Sequence, residues 1–249
     1  MRRTIATGLG VLAAANLLNN RVARRWAPVT SAAATGALLL IARRAGLTRH
    51  ELGFRDARAG AATGGALAAA VAAGYAAGVA LPRTRPLFHD QRALSLSRRR
   101  VLEEALVQVP FGTVLLEEVG FRGVLPALLG RVLPARTAVA ASAALFGVWH
   151  VLPALDMAWA NPALGRLAAG EDLALGDGRR GGAEAGRLVA GTVASTALAG
   201  LVFHGLRHRA GLLAPALLHV ATNSLGYAAA RAARRLDDRS AGPAAPLRR

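Results

Sequence analysis

Apolar blocks separated by short, arginine-bearing connectors run through most of this 249-residue chain, and one of them is interrupted at its centre by charge. The blocks fall near residues 4–19, 27–42, 59–81, 105–116, 121–133, 137–155, 188–203 and 211–230. Several are long enough to cross a hydrocarbon core of about 30 Å, which takes about 20 helical residues. None shows the alternation of a barrel strand, so helices are the spanning elements. The interruption is EEVGFRG, which puts Glu117, Glu118 and Arg122 inside the apolar run from Ala105 to Leu133. An ionisable side chain at that depth costs about 2.5–3.5 kcal/mol on insertion scales, so it marks function until shown otherwise.

The composition points the same way. Hydrophobic residues make up 53% of the chain and aromatics only 4%, with a mean hydropathy of +0.35. The expected fold class is all-α: a polytopic integral membrane helical bundle with about seven or eight transmembrane helices, the fourth and fifth blocks being one long helix or two broken ones. Turns or kinks are expected at Pro82, Pro110, Pro126, Pro134, Pro153 and Pro215. A basic start, Arg2 and Arg3, followed by apolar residues through Ala15 fits a first spanning helix better than a cleaved signal peptide, because further membrane segments follow. Three regions result: N-terminal helices and basic connectors over 1–100, a membrane core over 101–230, and a basic, Pro/Ala-rich tail over 231–249 expected to be disordered. Within the core, residues 156–187 turn polar and Gly-rich and read as an extramembrane loop.

The net charge of +17 does not indicate nucleic acid. The arginines cluster in connectors (Arg21, Arg24 and Arg25; Arg43, Arg44 and Arg49; Arg98 to Arg100), where they meet anionic lipid headgroups. The expected partners are membrane lipids and a membrane-associated peptide or protein, with no nucleic acid, and the expected location is a multi-pass place in a cell membrane, the bacterial plasma membrane. All 31 basic residues are arginine, which reflects a GC-rich genome rather than chemistry. The absence of cysteine removes disulfides, thiol catalysis and thiolate metal sites.

Glu118 and Arg122 are four residues apart, share a helical face and can pair. Glu117 points about 100° away and is free to face a cavity, where it could serve as a general base. Two later blocks add polar groups at buried depth. FGVWH places Phe146 and His150 one turn apart, and HVATN does the same for His219 and Asn223. An isolated intramembrane histidine usually just bonds helix to helix. Two of them on separate helices, with a Glu pair on a third, could gather a base, two imidazoles and an amide in one wet pocket. That set suits hydrolysis of an acyl bond, with Glu117 taking a proton from water and His150, His219 and Asn223 stabilising the oxyanion. Glu117, His150 and His219 could equally hold a single divalent metal such as zinc. Phe146 reads as packing. His204 and His208, also four apart, sit at a helix end beside Arg207 and Arg209 without the Glu of HExxH and read as an interfacial turn. His50 and His89 lie in charged connectors.

EEVGFRG, FGVWH and HVATN, in that order on successive apolar blocks, resemble the CPBP family of intramembrane proteases, which includes the type II CAAX prenyl proteases and the bacterial lysostaphin-resistance-protein-A-like and bacteriocin-processing proteins. The resemblance covers roughly residues 101–230. It implies an all-α bundle with its site in a cavity within the membrane. It makes Glu117 the base, Glu118 and Arg122 the residues that shape the site, His150 the second-motif histidine, and His219 with Asn223 the third-motif pair. Family members have been described both as metalloproteases and as metal-independent glutamate proteases. Asn223 would be a poor fourth zinc ligand and a good oxyanion donor, which favours no cofactor over a zinc ion. Two other functions compete with an endopeptidase. One is a family member that acts by binding, as an immunity or maturation factor. The other is a transporter or proton-relay protein, which the lack of a visible inverted repeat disfavours.

Overall fold

The computed structural model describes residues 1–160, 163 and 182–240, and every regular element among them is helical. Helix α1 spans Arg2–Leu17 and runs on through a π-helical turn, Leu18–Val22. Helix α2 is Ala27–Arg44 and α3 is Ala57–Ala80. Helix α4 is one unbroken rod over residues 98–129, so the fourth and fifth apolar blocks are a single element. Helices α5 (Ala135–Trp149) and α6 (Val151–Ala160) are divided at His150, and α7 (Gly182–Ala210) and α8 (Leu213–Ser240) close the bundle.

Two stretches of α4, Glu104–Val114 and Val119–Val124, are π-helical. Pro110 lies inside the first and has no N–H for an α-helical ladder. The chain keeps its direction there by widening the turn, and the Leu115 N–H reaches back five residues to the Pro110 carbonyl. Between the two lies one α-turn, Leu115–Glu118, which carries both glutamates. Every residue from 116 to 126 is buried, the signature of a helix surrounded on all sides. Helices α1 and α2 cover one flank of α4, while α5, α7 and α8 cover the other.

Three helical segments are long and apolar enough to cross a membrane on their own: Ala57–Ala80, Ala135–Met157 and Gly186–Ala210. The first and third are peripheral, while the second packs into the core through Phe146 and Trp149. On α7, Leu198, Leu201 and Val202 are exposed apolar side chains, as lipid-facing positions should be. The protein is thus an all-α membrane protein with three such spans among the described residues.

Helix α8 is placed by small residues and by a docked loop. A side chain at Gly64 of α3 would meet Leu217 Cβ at 2.8 Å and the Ala214 carbonyl at 2.9 Å, so α3 and α8 touch backbone to backbone there. The turn from α7 into α8 uses Gly211 at φ 75°, a left-handed conformation that glycine adopts without cost. Its neighbour Leu212 donates its N–H to the Gly53 carbonyl at 2.8 Å, and Arg207 reaches the Glu51 carbonyl. The Glu51 carboxyl is held below the usual carboxylate range by the backbone N–H and hydroxyl of Thr48, with Arg131 at 2.7 Å adding to it.

Two expectations need correction. The chain is not disordered from residue 231, because α8 continues to Ser240. Asp237 is paired with Arg85 at 2.9 Å and His89 at 2.7 Å, Arg231 donates to the Leu96 carbonyl, and Leu236 packs against Val79, so the connector after α3 straps this helix end. The polar stretch expected over 156–187 is also shorter, since 156–160 belong to α6 and 182–187 to α7. Its middle and the tail beyond Ser240 lie outside the described residues.

Replacing Gly64 with valine should destabilise the fold by about 1–3 kcal/mol through overpacking against α8. Thermal unfolding in detergent would show the lowered Tm, while Gly65→Val, where the added carbon meets open space, should leave it unchanged.

Candidate active site

Glu117 and Glu118 sit at the centre of the bundle, 4% and 1% exposed, and Arg122 is 1% exposed. Burial of two adjacent carboxylates demands partners, and two neighbouring helices supply one each. From α5, Trp149 donates its indole N–H to Glu117 Oε1 at 2.8 Å. From α8, His219 Nδ1 lies 2.7 Å from Glu118 Oε1. These two bonds engage one oxygen of each carboxylate. The other two oxygens, Glu117 Oε2 and Glu118 Oε2, are buried with no hydrogen-bond partner among the described residues.

Glu117 Oε2 is where the motifs converge. His219 Nε2 is 3.7 Å away and His150 Nε2 is 3.9 Å away. His150 occupies the break between α5 and α6, and its Nδ1 faces the Phe146 carbonyl at 2.8 Å. A carbonyl only accepts, so Nδ1 carries the proton and Nε2 of the neutral ring presents its lone pair. His219 follows the same logic through the Glu118 carboxylate. The Nε2 atoms of both imidazoles and one carboxylate oxygen therefore face a common point.

Those are donor types that zinc accepts, but the separations are wide. Zinc–ligand bonds of about 2.0–2.1 Å would put tetrahedral ligand atoms about 3.3 Å apart. The Glu117 Oε2 separations here are 3.7 Å to His219 and 3.9 Å to His150, wider than that. The same gap suits a water molecule hydrogen-bonded to all three groups.

Arg122 forms the expected i, i+4 ion pair with Glu118, though not a hydrogen-bonded one. Its Nε stands 3.6 Å from Glu118 Oε2, beyond hydrogen-bond reach, and none of its nitrogens has a hydrogen-bond partner among the described residues. The guanidinium also lies 3.7 Å from the Phe146 ring centroid and 5.0 Å from that of Phe203. The pair spans the π-helical turn that begins just after Glu118. Phe146 is therefore more than packing, for its ring carries the cation and also lies edge-on to His150, centroids 4.5 Å apart.

Asn223 lies one turn beyond His219 on α8, half-buried, with an amide that makes no hydrogen bond among the described residues. His204 and His208 stand apart near the end of α7. Sequence reasoning passed over Trp149, although it sits inside FGVWH, because an indole at apolar depth reads as core. It also passed over Phe203, which bears on Arg122 and lies 5.3 Å from His219 by ring centroids.

Residues 104–225 match the family described as type II CAAX prenyl endopeptidase Rce1-like, a stretch that contains every one of the site's motif residues. No curated protein and no solved structure matches the chain.

Phe146→Leu should cost about 2 kcal/mol by stripping a desolvated cation of its aromatic face. Thermal unfolding in detergent would register the loss, and Phe146→Tyr should recover most of it.

Proposed function

Because the chain belongs, through residues 104–225, to the Rce1-like family of type II CAAX prenyl endopeptidases, within the CPBP proteases, we propose that it is an intramembrane endopeptidase using Glu117 as its base. The observation that carries this is the unpartnered Glu117 Oε2, buried and facing Nε2 of both His150 and His219. The substrate class is membrane-associated peptides or proteins. The helices beyond the three self-sufficient spans complete a bundle of seven or eight crossings in a multi-pass arrangement in a cell membrane.

A water between these three groups donates one proton to Glu117 Oε2 and the other to an imidazole lone pair. Glu117 removes its proton as the water oxygen attacks the scissile carbonyl, forming the C–O bond of a tetrahedral oxyanion. Glu117 passes that proton on to a facing imidazole, which restores the carboxylate and makes the imidazole an Nε2–H donor. In that form it stabilises the oxyanion and then gives the proton to the leaving amine as the C–N bond breaks. The free amide of Asn223 supplies a further N–H to the oxyanion. Glu118 orients His219, and Arg122 balances the charge of the carboxylate pair. The single base needs no metal, in keeping with the wide ligand separations.

Glu117→Gln should abolish cleavage of a membrane-reconstituted peptide by at least about 10³-fold, the scale of losing the base, with Tm unchanged. Retained cleavage would remove Glu117 from the role of base. Protein stripped of metal by a chelator and verified metal-free should cleave at its full rate. Activity lost on stripping and regained with zinc would overturn the metal-independent reading.

A further inference from the structure

Helix α5 ends where it does because of Pro153. In an unbroken helix the Trp149 carbonyl would accept the N–H of residue 153, and proline has none. The orphaned carbonyl is taken by Asn16 of α1, whose Nδ2 donates to it at 2.8 Å. The side chain of the same tryptophan turns inward. It packs edge-on against Phe121, ring centroids 5.3 Å apart, and gives its Nε1–H to Glu117 Oε1. One residue thus joins α1, the α5–α6 break and the carboxylate at the centre of the site.

We propose that Trp149, anchored by Asn16, is the positioning residue that makes Oε2 the working oxygen of Glu117. The inference rests on the reading of Glu117 as the base. The terminal torsion of a glutamate side chain is broad and nearly two-fold, so an untethered carboxylate would turn freely and offer either oxygen. An indole N–H is a donor only, and a bond to a charged oxygen is roughly twice as strong as one between neutral groups. Tying Oε1 to Trp149 therefore stops that rotation and holds Oε2 toward His150 and His219. The anchor has a second effect, because His150 directly follows Trp149. Fixing the Trp149 carbonyl fixes the peptide plane that leads into His150, so Asn16 steadies the base and one imidazole together. Asn16 lies outside the matched stretch of residues 104–225, which makes α1 a working part of the site rather than an added membrane helix.

The test is Trp149→Phe, which keeps an aromatic ring against Phe121 and removes the donor. Its kcat on a membrane-reconstituted peptide should fall about 10- to 100-fold, the equivalent of one hydrogen bond to a charged group. KM should change by no more than about threefold, since the indole N–H is spent on the base and not on the substrate. Asn16→Leu should lower kcat in the same sense. A second readout needs no activity. The indole N–H resonance of Trp149, assigned by elimination as the one kept when Trp26 and Trp159 are each replaced by phenylalanine, should move upfield in Glu117→Ala, and this decides the matter even if Trp149→Phe fails to fold. Wild-type kcat in Trp149→Phe, or a resonance indifferent to Glu117, overturns the proposal. Should Glu117→Gln abolish cleavage while Trp149→Phe cleaves normally, only this inference falls and Glu117 remains the base. If Glu117→Gln cleaves normally, both fall.

Discussion

Two adjacent carboxylates buried beside a single guanidinium set the terms for the rest of the bundle. Left unpartnered, each would cost several kcal/mol, comparable with the whole net stability of a domain. The fold meets that cost by surrounding one α-turn, Leu115–Glu118, with helices that each bring a donor or an aromatic face. Trp149 comes from α5, His219 from α8, and Phe146 and Phe203 close over Arg122. The close approach of α3 to α8 at Gly64, and the loop bonded to the turn at Gly211, serve the same end at one remove. They fix the height and rotation of the helix that carries His219.

The satisfaction is deliberately incomplete. One oxygen of each glutamate is bonded and the other is not, and the bonded oxygens are those that set geometry. Arg122 pairs with Glu118 Oε2 at 3.6 Å without a hydrogen bond, and its cation also rests on ring faces. Had it formed a bidentate pair with Glu118, the histidine on α8 would have lost its orienting acceptor. Arg122 instead pairs with Glu118 through Oε2 at 3.6 Å, which leaves Glu118 Oε1 to His219.

The chemistry of the site was legible in the sequence because ionisable residues at apolar depth are too costly to persist there without a chemical role. Glu117, His150 and His219 are such residues, and the structure brings both imidazoles within 4 Å of Glu117 Oε2. What escaped was of a different physical kind. Asn16 acts on a carbonyl that only a missing N–H, at Pro153, leaves free, and the partner is 133 positions away. Trp149 has the outward character of a core residue, and its one polar atom has meaning only once the facing oxygen is known. The π-helical turns depend on how α4 is packed, since Pro110 alone would equally permit a kink. Composition misjudged the end of α8, because Arg85 and His89, which hold Asp237, belong to a connector far away in the chain.

Exposure gives the site a direction. The side chains of Glu117 and His219 are 5% and 7% exposed, whereas that of His150 is 18% exposed. His150, at the break between α5 and α6, is the most exposed of the three. That break is also the most polar part of the neighbourhood: Asn16 and Asn20 lie against it, and Asp156 one turn further on pairs with Arg21 at 3.1 Å and Arg24 at 3.2 Å. Hydrolysis within a bilayer needs water where the solvent is hydrocarbon, and a helix break lined by polar groups is where backbone can meet water at low cost. The proline that frees the Trp149 carbonyl thus also opens the helix at the point where the site is most accessible. Orientation of the base and access to it share one cause, the absent N–H of Pro153.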